Sequence, residues 1–270
     1  MKNSRQPNRQ YPSQVSKRTN SGLYSFSLSF LILLFGCGSA SPEGNNTSSP
    51  SHQAFTRLLQ KHVDDKGMVD YRGFAQDSTE LNAYLEELEA APPSSQWQKD
   101  EKLAYWINAY NAYTIQLILK NYPLKSIKDI TKGPNVPFVN SPWDITFISI
   151  GGEELDLNNI EHSIIRKEFD EPRIHFALVC AAISCPPLRN EAYEAAKLDD
   201  QLHEQAKTFL SNPDKNKLEG DRLQISKIFS WYGGDFEQGV AAYIHSLYPN
   251  KANKDAEVDY MDYNWALNEQ

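Results

Sequence analysis

Phe55, Leu58, Leu59, His62 and Val63 recur at the spacing of one helix face, and the pattern stops near Lys66-Gly67. Met68 to Tyr71 reads as a short extended piece. Asp77, with Glu80 three residues on, has the form of an N-cap and its capping-box acid. Leu81, Tyr84, Leu85 and Leu88 then mark the buried stripe of a second helix, closed by Pro92-Pro93. The stretch 99–121 differs in kind: Leu103, Tyr105, Trp106, Ile107, Tyr110 and Ile118 lie around nearly its whole circumference, and a helix apolar all round belongs inside a domain. Asn108 and Asn111 sit three apart on one face of it. Two amides are therefore expected to be buried, satisfied by neighbouring backbone or serving as the polar lining of a cleft.

Further along, 131–142 holds three prolines and a glycine and reads as a long surface loop, a candidate partner surface. Asp144 to Ile150, Gly151-Gly152 and Glu153 to Asp156 predict a hairpin with a glycine turn. Asp156 or Asn158 is placed to cap a short helix over 159–167 that carries Glu161, His162 and Arg166, the last two on one face. Ile174, Phe176 and Leu178 alternate with His175, Ala177 and Val179, which predicts a buried strand, followed by a tight turn of small residues and a stop at Pro186-Pro187. Leu198, Leu202, Ala206 and Phe209 mark a helix, 217–229 reads as a second hairpin, and Gly233-Gly234 present Asp235 in a loop. Val240, Ile244 and Leu247 mark a last helix before an extended stretch over 257–265. Helices and strands mix without βαβ alternation or internal repeat. The expected fold class is α+β: a single domain over 52–270, with a buried central helix packed on a mainly antiparallel sheet and flanked by other helices.

The N-terminus changes the picture. Its first twenty residues carry five basic and no acidic side chains, an apolar run follows from Leu23 to Phe35, and the run ends in Leu33-Leu-Phe-Gly-Cys37. That order is an export signal. Its end resembles a bacterial lipobox, which implies a signal peptide over 1–36, lipidation of Cys37 and, with no Asp after that cysteine, an outer-membrane destination facing the periplasm. Residues 37–51 are poor in apolar side chains and read as a flexible tether. Removing 1–36 leaves 22 basic against 35 acidic residues, a formal charge of −13 that repels phosphate backbones and excludes nucleic acid as a partner. The expected partners are the membrane, through the lipid, and an unknown protein or envelope substrate.

Lys102-Leu-Ala-Tyr-Trp-Ile-Asn-Ala-Tyr-Asn-Ala112, Asn159-Ile-Glu-His162 through Arg166, His175 to Leu188 and Lys227-Ile-Phe-Ser-Trp-Tyr232 together resemble the family known as domain of unknown function 547. The closing Tyr260 to Leu267 is similar to the ends of its bacterial members. The resemblance covers most of 55–267 and supplies no activity.

Candidate chemistry gathers where Cys180 and Cys185 end the apolar run that begins at Arg173. In an oxidising compartment the two form either a disulfide or a thiol site. On a strand His175 and Cys180, five apart, face opposite sides. His162 is therefore the favoured base for a thiol nucleophile, oriented by Glu161, Asp235 or a buried amide of Asn108 or Asn111, in an arrangement loosely similar to papain-like and transglutaminase-like thiol enzymes. In those enzymes, however, the cysteine precedes the histidine and starts a helix. A metal on His162, His175 and Glu161 or Asp235 lacks any HExxH-type spacing, so no metal and no cofactor is expected. His52, His62, His203 and His245 read as ordinary surface or partly buried side chains. The leading functional expectation is a lipid-anchored binding or envelope-assembly module, with a Cys/His-dependent hydrolase or transferase as the alternative.

Overall fold

The computed structural model describes residues 49–132 and 141–270. The expected signal peptide, Cys37, nearly all of the expected tether and most of the proline-rich loop lie outside the described residues. Among the described residues no helix is long and apolar enough to cross a membrane.

The chain runs α1 (Gln53–His62), α2 (Tyr71–Gln76), α3 (Ser78–Ala90) and α4 (Lys99–Asn121) before any strand forms. In α1 and α3 the predicted stripes are buried as expected. Asp77 flanks α3 but does not cap it, because its carboxylate is taken by Lys61 Nζ at 2.5 Å and His62 Nε2 at 2.6 Å. α4 matches the all-round apolar stretch end for end. The Glu101 carboxylate accepts the Gln98 N–H at its start, Lys120 lies in its last turn, and side chains from Leu103 to Ile118 are buried on every face. His52 and His62 are buried rather than superficial, the first hydrogen-bonded to the Tyr84 hydroxyl at 2.7 Å.

The expected mainly antiparallel sheet is not present. The protein is mostly helical, with two small two-stranded sheets among the described residues. β1 (Ile148–Ile150) and β2 (Glu153–Leu155) form the predicted antiparallel hairpin. Gly151 and Gly152 both take positive φ, 65° and 81°, as a two-residue turn between right-twisted strands requires. A π-helix (Asn159–Ile165) runs into α5 (Arg166–Glu168), and the single turn α6 (Ile174–Ala177) comes next, ahead of α7 (Leu198–Ser211).

The second predicted hairpin is instead one strand, β3 (Lys217–Ile225), paired in parallel with β4 (Ala252–Tyr260). Glu219-Gly220-Asp221 looks like a turn in sequence, but it is absorbed as a register shift after Gly220, and the strand continues through it. Parallel pairing needs a crossover, and α8 (Ile228–Tyr232) and α9 (Val240–Leu247) supply it.

The core has two parts. The larger surrounds α4, and the smaller gathers Phe209, Phe229, Phe236 and Ile244. α6 joins them: Ile174 and Ala177 belong to the first, Phe176 to the second. Burying Phe176 completely contributes roughly 1.5–3 kcal/mol.

Candidate functional site

The segment predicted as a strand from Ile174 to Val179 begins as a helical turn, closed by the Leu178 N–H donating to the Ile174 carbonyl at 2.9 Å, and becomes extended only at Leu178. A strand needs a ladder, and here the chain meets the flank of α4 instead. Asn111 takes the place of a ladder partner. Its Nδ2 donates to the Ala177 carbonyl at 2.9 Å, and its Oδ1 accepts the Val179 N–H at 2.9 Å. One turn along α4, Asn108 does the same for Tyr193, donating to its carbonyl at 2.8 Å and accepting from its N–H at 2.9 Å. Each amide bonds backbone through both its donor and its acceptor, and neither lines the cavity described below, to which the helix face beside them contributes Tyr110.

Past Val179 the chain reverses at Ala181, whose φ of 57° is unusual for a residue with a side chain. Cys180 and Cys185 are joined in a disulfide across a Cα–Cα distance of 6.2 Å, and the Cys180 N–H donates to Cys185 Sγ at 2.9 Å. The loop they close is strapped by the C-terminal segment. The Ile183 N–H donates to the Ala266 carbonyl at 2.8 Å, and the Asn264 N–H to Ser184 Oγ at 2.9 Å. That strap brings Tyr263 onto the sulfurs, with its hydroxyl 3.2 Å from Cys180 Sγ and 3.3 Å from Cys185 Sγ.

Because α6 is helical, strand parity does not apply, and His175 and Cys180 line the same cavity. His175 is buried, stacked on the Tyr232 ring at 4.0 Å, and donates through Nε2 to Asp235 Oδ2 at 2.7 Å. Asp235 also receives a bidentate pair from Arg166, Nε to Oδ2 and Nη2 to Oδ1, each 2.7 Å. These bonds, Arg166 first, hold the Asp235 carboxyl down at about 2, and they hold the Arg166 guanidinium above its ordinary value. Burial lowers the His175 pKa, with Asp235 only partly opposing it. His162 accepts from Arg166 Nη1 at 3.1 Å and is 4.0 Å from Glu161 Oε1. Asp235, one of the groups expected to orient His162 alongside Glu161 and the buried amides, bonds His175 instead.

The cavity measures about 300 Å³. Glu161, His162, His175, Cys180 and Cys185 all line it, while Asp235 stands behind them, bonded to His175. Its walls are aromatic: Tyr110, Trp143, Trp231, Tyr232, Tyr263 and Trp265. Burial, and then the charge of the Glu161 carboxylate, raise the Tyr110, Tyr232 and Tyr263 hydroxyls far above the usual phenol range, so all three stay protonated. Among the described residues no group of three or more His, Cys, Asp or Glu side chains is disposed to hold a metal ion.

Residues 94–210 match the family model described as "Protein of unknown function, DUF547". No curated protein and no solved structure matches the chain. The matched segment supplies α4, the π-helix, α6 and the disulfide loop, hence Tyr110, Trp143, Glu161, His162, His175 and both sulfurs. The rest of the cavity, Ile228, Trp231, Tyr232, Tyr263 and Trp265, follows the matched segment, as does Asp235. The six aromatic walls are not among the candidate site residues read from sequence. A signal for them was present in the close aromatic pairs Trp231-Tyr232 and Tyr263-Asn-Trp265.

Proposed function

We propose that this chain is exported, lipidated at Cys37 and held at an outer membrane, where its DUF547 domain acts as a binding module through the aromatic cavity. The observation that carries this role is the cavity itself: about 300 Å³, walled by six aromatic side chains, with its two sulfurs tied to each other. Ligand sites are typically concave, mostly apolar and furnished with a few convergent polar groups. A bridged sulfur is not a thiolate and cannot attack a substrate. The anchor is supported by the basic, apolar and Leu33-Leu-Phe-Gly-Cys37 order of the N-terminus.

The test of binding is a panel of neutral, cationic and saccharide small molecules titrated against the tryptophan fluorescence of the purified full chain. Saturable quenching that is lost in Trp231→Ala is expected; no response to any class would remove the binding role. The test of anchoring is mass spectrometry of protein extracted from producing cells, with a diacylglyceryl-modified Cys37 as the new N-terminus expected and a retained Met1 counting against it.

A second role, Cys/His-dependent hydrolase or transferase, is favoured by one observation. The His175–Asp235 pair and both sulfurs meet at the same cavity. It requires prior reduction of the disulfide, and it predicts that Cys180, once reduced, alkylates more slowly in His175→Ala than in the native protein.

A further inference from the structure

The geometry points to an organic cation, a quaternary or similarly alkylated ammonium group carrying an apolar substituent, as the ligand class of the aromatic cavity. This rests on the binding role proposed above and narrows it to a chemistry.

The first support is the pairing of one carboxylate with aromatic faces. Glu161 is 7% exposed and lines the cavity, and among the described residues its one ionic neighbour within 4.0 Å is His162, at that limit. The strongest fixed cation nearby, Arg166, is matched by Asp235 through two 2.7 Å bonds. Glu161 is therefore a buried carboxyl whose close neighbours among the described residues are the Tyr110 and Tyr232 hydroxyls and His162 rather than a Lys or Arg, a seat that a ligand cation can complete. The phenols of Tyr110 and Tyr232 face that carboxylate and, staying protonated, add no competing charge.

The second support is the wall. Aromatic faces attract cations through their quadrupoles, most strongly when water is excluded, and cages of such rings are the common solution for alkylated ammonium groups, which cannot donate hydrogen bonds. Trp231 packs on Trp265 at 5.8 Å and on Tyr263 at 4.8 Å, which makes a continuous ring surface at one side of the cavity. The protein already uses this surface in the same sense: Lys128 Nζ stands 3.6 Å from the centroid of Trp265, and the Arg166 guanidinium 5.1 Å from that of Tyr232. An anionic ligand would meet the Glu161 carboxyl, while the nearby Arg166 guanidinium is already paired with Asp235. The chain's acidic balance favours the approach of cations over anions.

The test is calorimetric titration of the full chain, in non-ionic detergent, with phenyltrimethylammonium, its neutral isostere tert-butylbenzene and a β-linked disaccharide. The cation is expected to bind at least about tenfold more tightly than the isostere. Glu161→Gln is expected to erase that advantage while leaving the isostere's affinity in place. Should Glu161→Gln fail to fold, Trp231→Ala serves instead: its side chain is 46% exposed at the cavity, and its loss is expected to weaken the cation several-fold more than the isostere. Equal affinity for cation and isostere, or an advantage that survives both substitutions, would overturn the assignment. Binding of the isostere or the disaccharide without the cation defeats the cation assignment and leaves the binding role standing. Silence from all three defeats both.

Discussion

His175 donates from Nε2 to Asp235 Oδ2 at 2.7 Å, on an oxygen that also accepts from Arg166 Nε at 2.7 Å. The two partners titrate with the same consequence for stability. The His175 pKa is lowered by burial, so its contribution is intact above the free histidine value near 6.5 and is lost as pH falls below it. The Asp235 pKa is depressed to about 2, so its contribution is intact above the free carboxyl value of 3.8 and is lost as pH falls from there toward 2. Its partial exposure to water limits that second loss to about 1 kcal/mol. His52, lowered by burial to about 4, acts in the same direction as His175. Denaturant midpoints should therefore fall in two stages, below pH 6.5 and again below 3.8. His175→Gln should flatten the first stage, and an unchanged first stage in that variant would count against the His175 contribution.

Asn111 is expected to matter for folding rather than for any chemistry. Asn111→Ala leaves the Ala177 carbonyl and the Val179 N–H without their partner in a buried segment, at a cost of about 2–4 kcal/mol. Asn111→Asp retains the acceptor, loses the donor and adds a buried charge, so it should be worse. Equilibrium urea unfolding of the three proteins checks the order. A loss under about 1 kcal/mol for Asn111→Ala would mean that the two backbone groups find other partners.

These two cases show what could be read from residues alone. α4 was legible because its apolar residues cover every face, a local pattern that tertiary packing reinforces; the β1–β2 hairpin was legible because Gly151-Gly152 fixes its turn. The turn α6 was not, because Ile174–Val179 carries strand-like residues whose preference matters only if another strand lies alongside, and what lies alongside is α4 with Asn111. The consequence reaches the site, because strand parity would separate His175 from Cys180 and favour His162, whereas the helical turn brings His175 to the cavity that Cys180 lines. The candidates Glu161, His162, His175, Cys180 and Cys185 do meet at one cavity, yet the contacts that give it shape come from the distant Asp235, Trp231, Tyr263 and Trp265. Local spacing contains no information about pairings between residues that far apart in the chain.

Gly67 and Gly152 offer a controlled comparison. Both take positive φ, 75° and 81°. A Cβ on Gly67 would lie 2.4 Å from Pro187 Cβ and 2.5 Å from the Leu188 nitrogen, whereas one on Gly152 would meet nothing within 4 Å. Gly152→Ala should therefore cost only the conformational strain, about 1 kcal/mol. Gly67→Ala should cost at least about 3 kcal/mol, because it also pushes the proline segment off the disulfide loop. Thermal melts of the two variants that coincide would show that the Gly67–Pro187 approach is not tight in solution.

The disulfide yields the remaining prediction. It closes a loop of only six residues, counted inclusively, so chain-entropy reasoning assigns it about 2 kcal/mol, near the low end for such bridges. The C-terminal strap holds the same loop independently, through Ile183 to Ala266 and Asn264 to Ser184. A Cys180→Ser/Cys185→Ser double variant should thus remain folded and lose roughly that 2 kcal/mol in urea unfolding. In the native protein, iodoacetamide without reductant should label neither Cys180 nor Cys185. Rapid labelling of either sulfur under those conditions would show a free thiol at the cavity, and it would shift the balance from the binding role toward Cys/His chemistry.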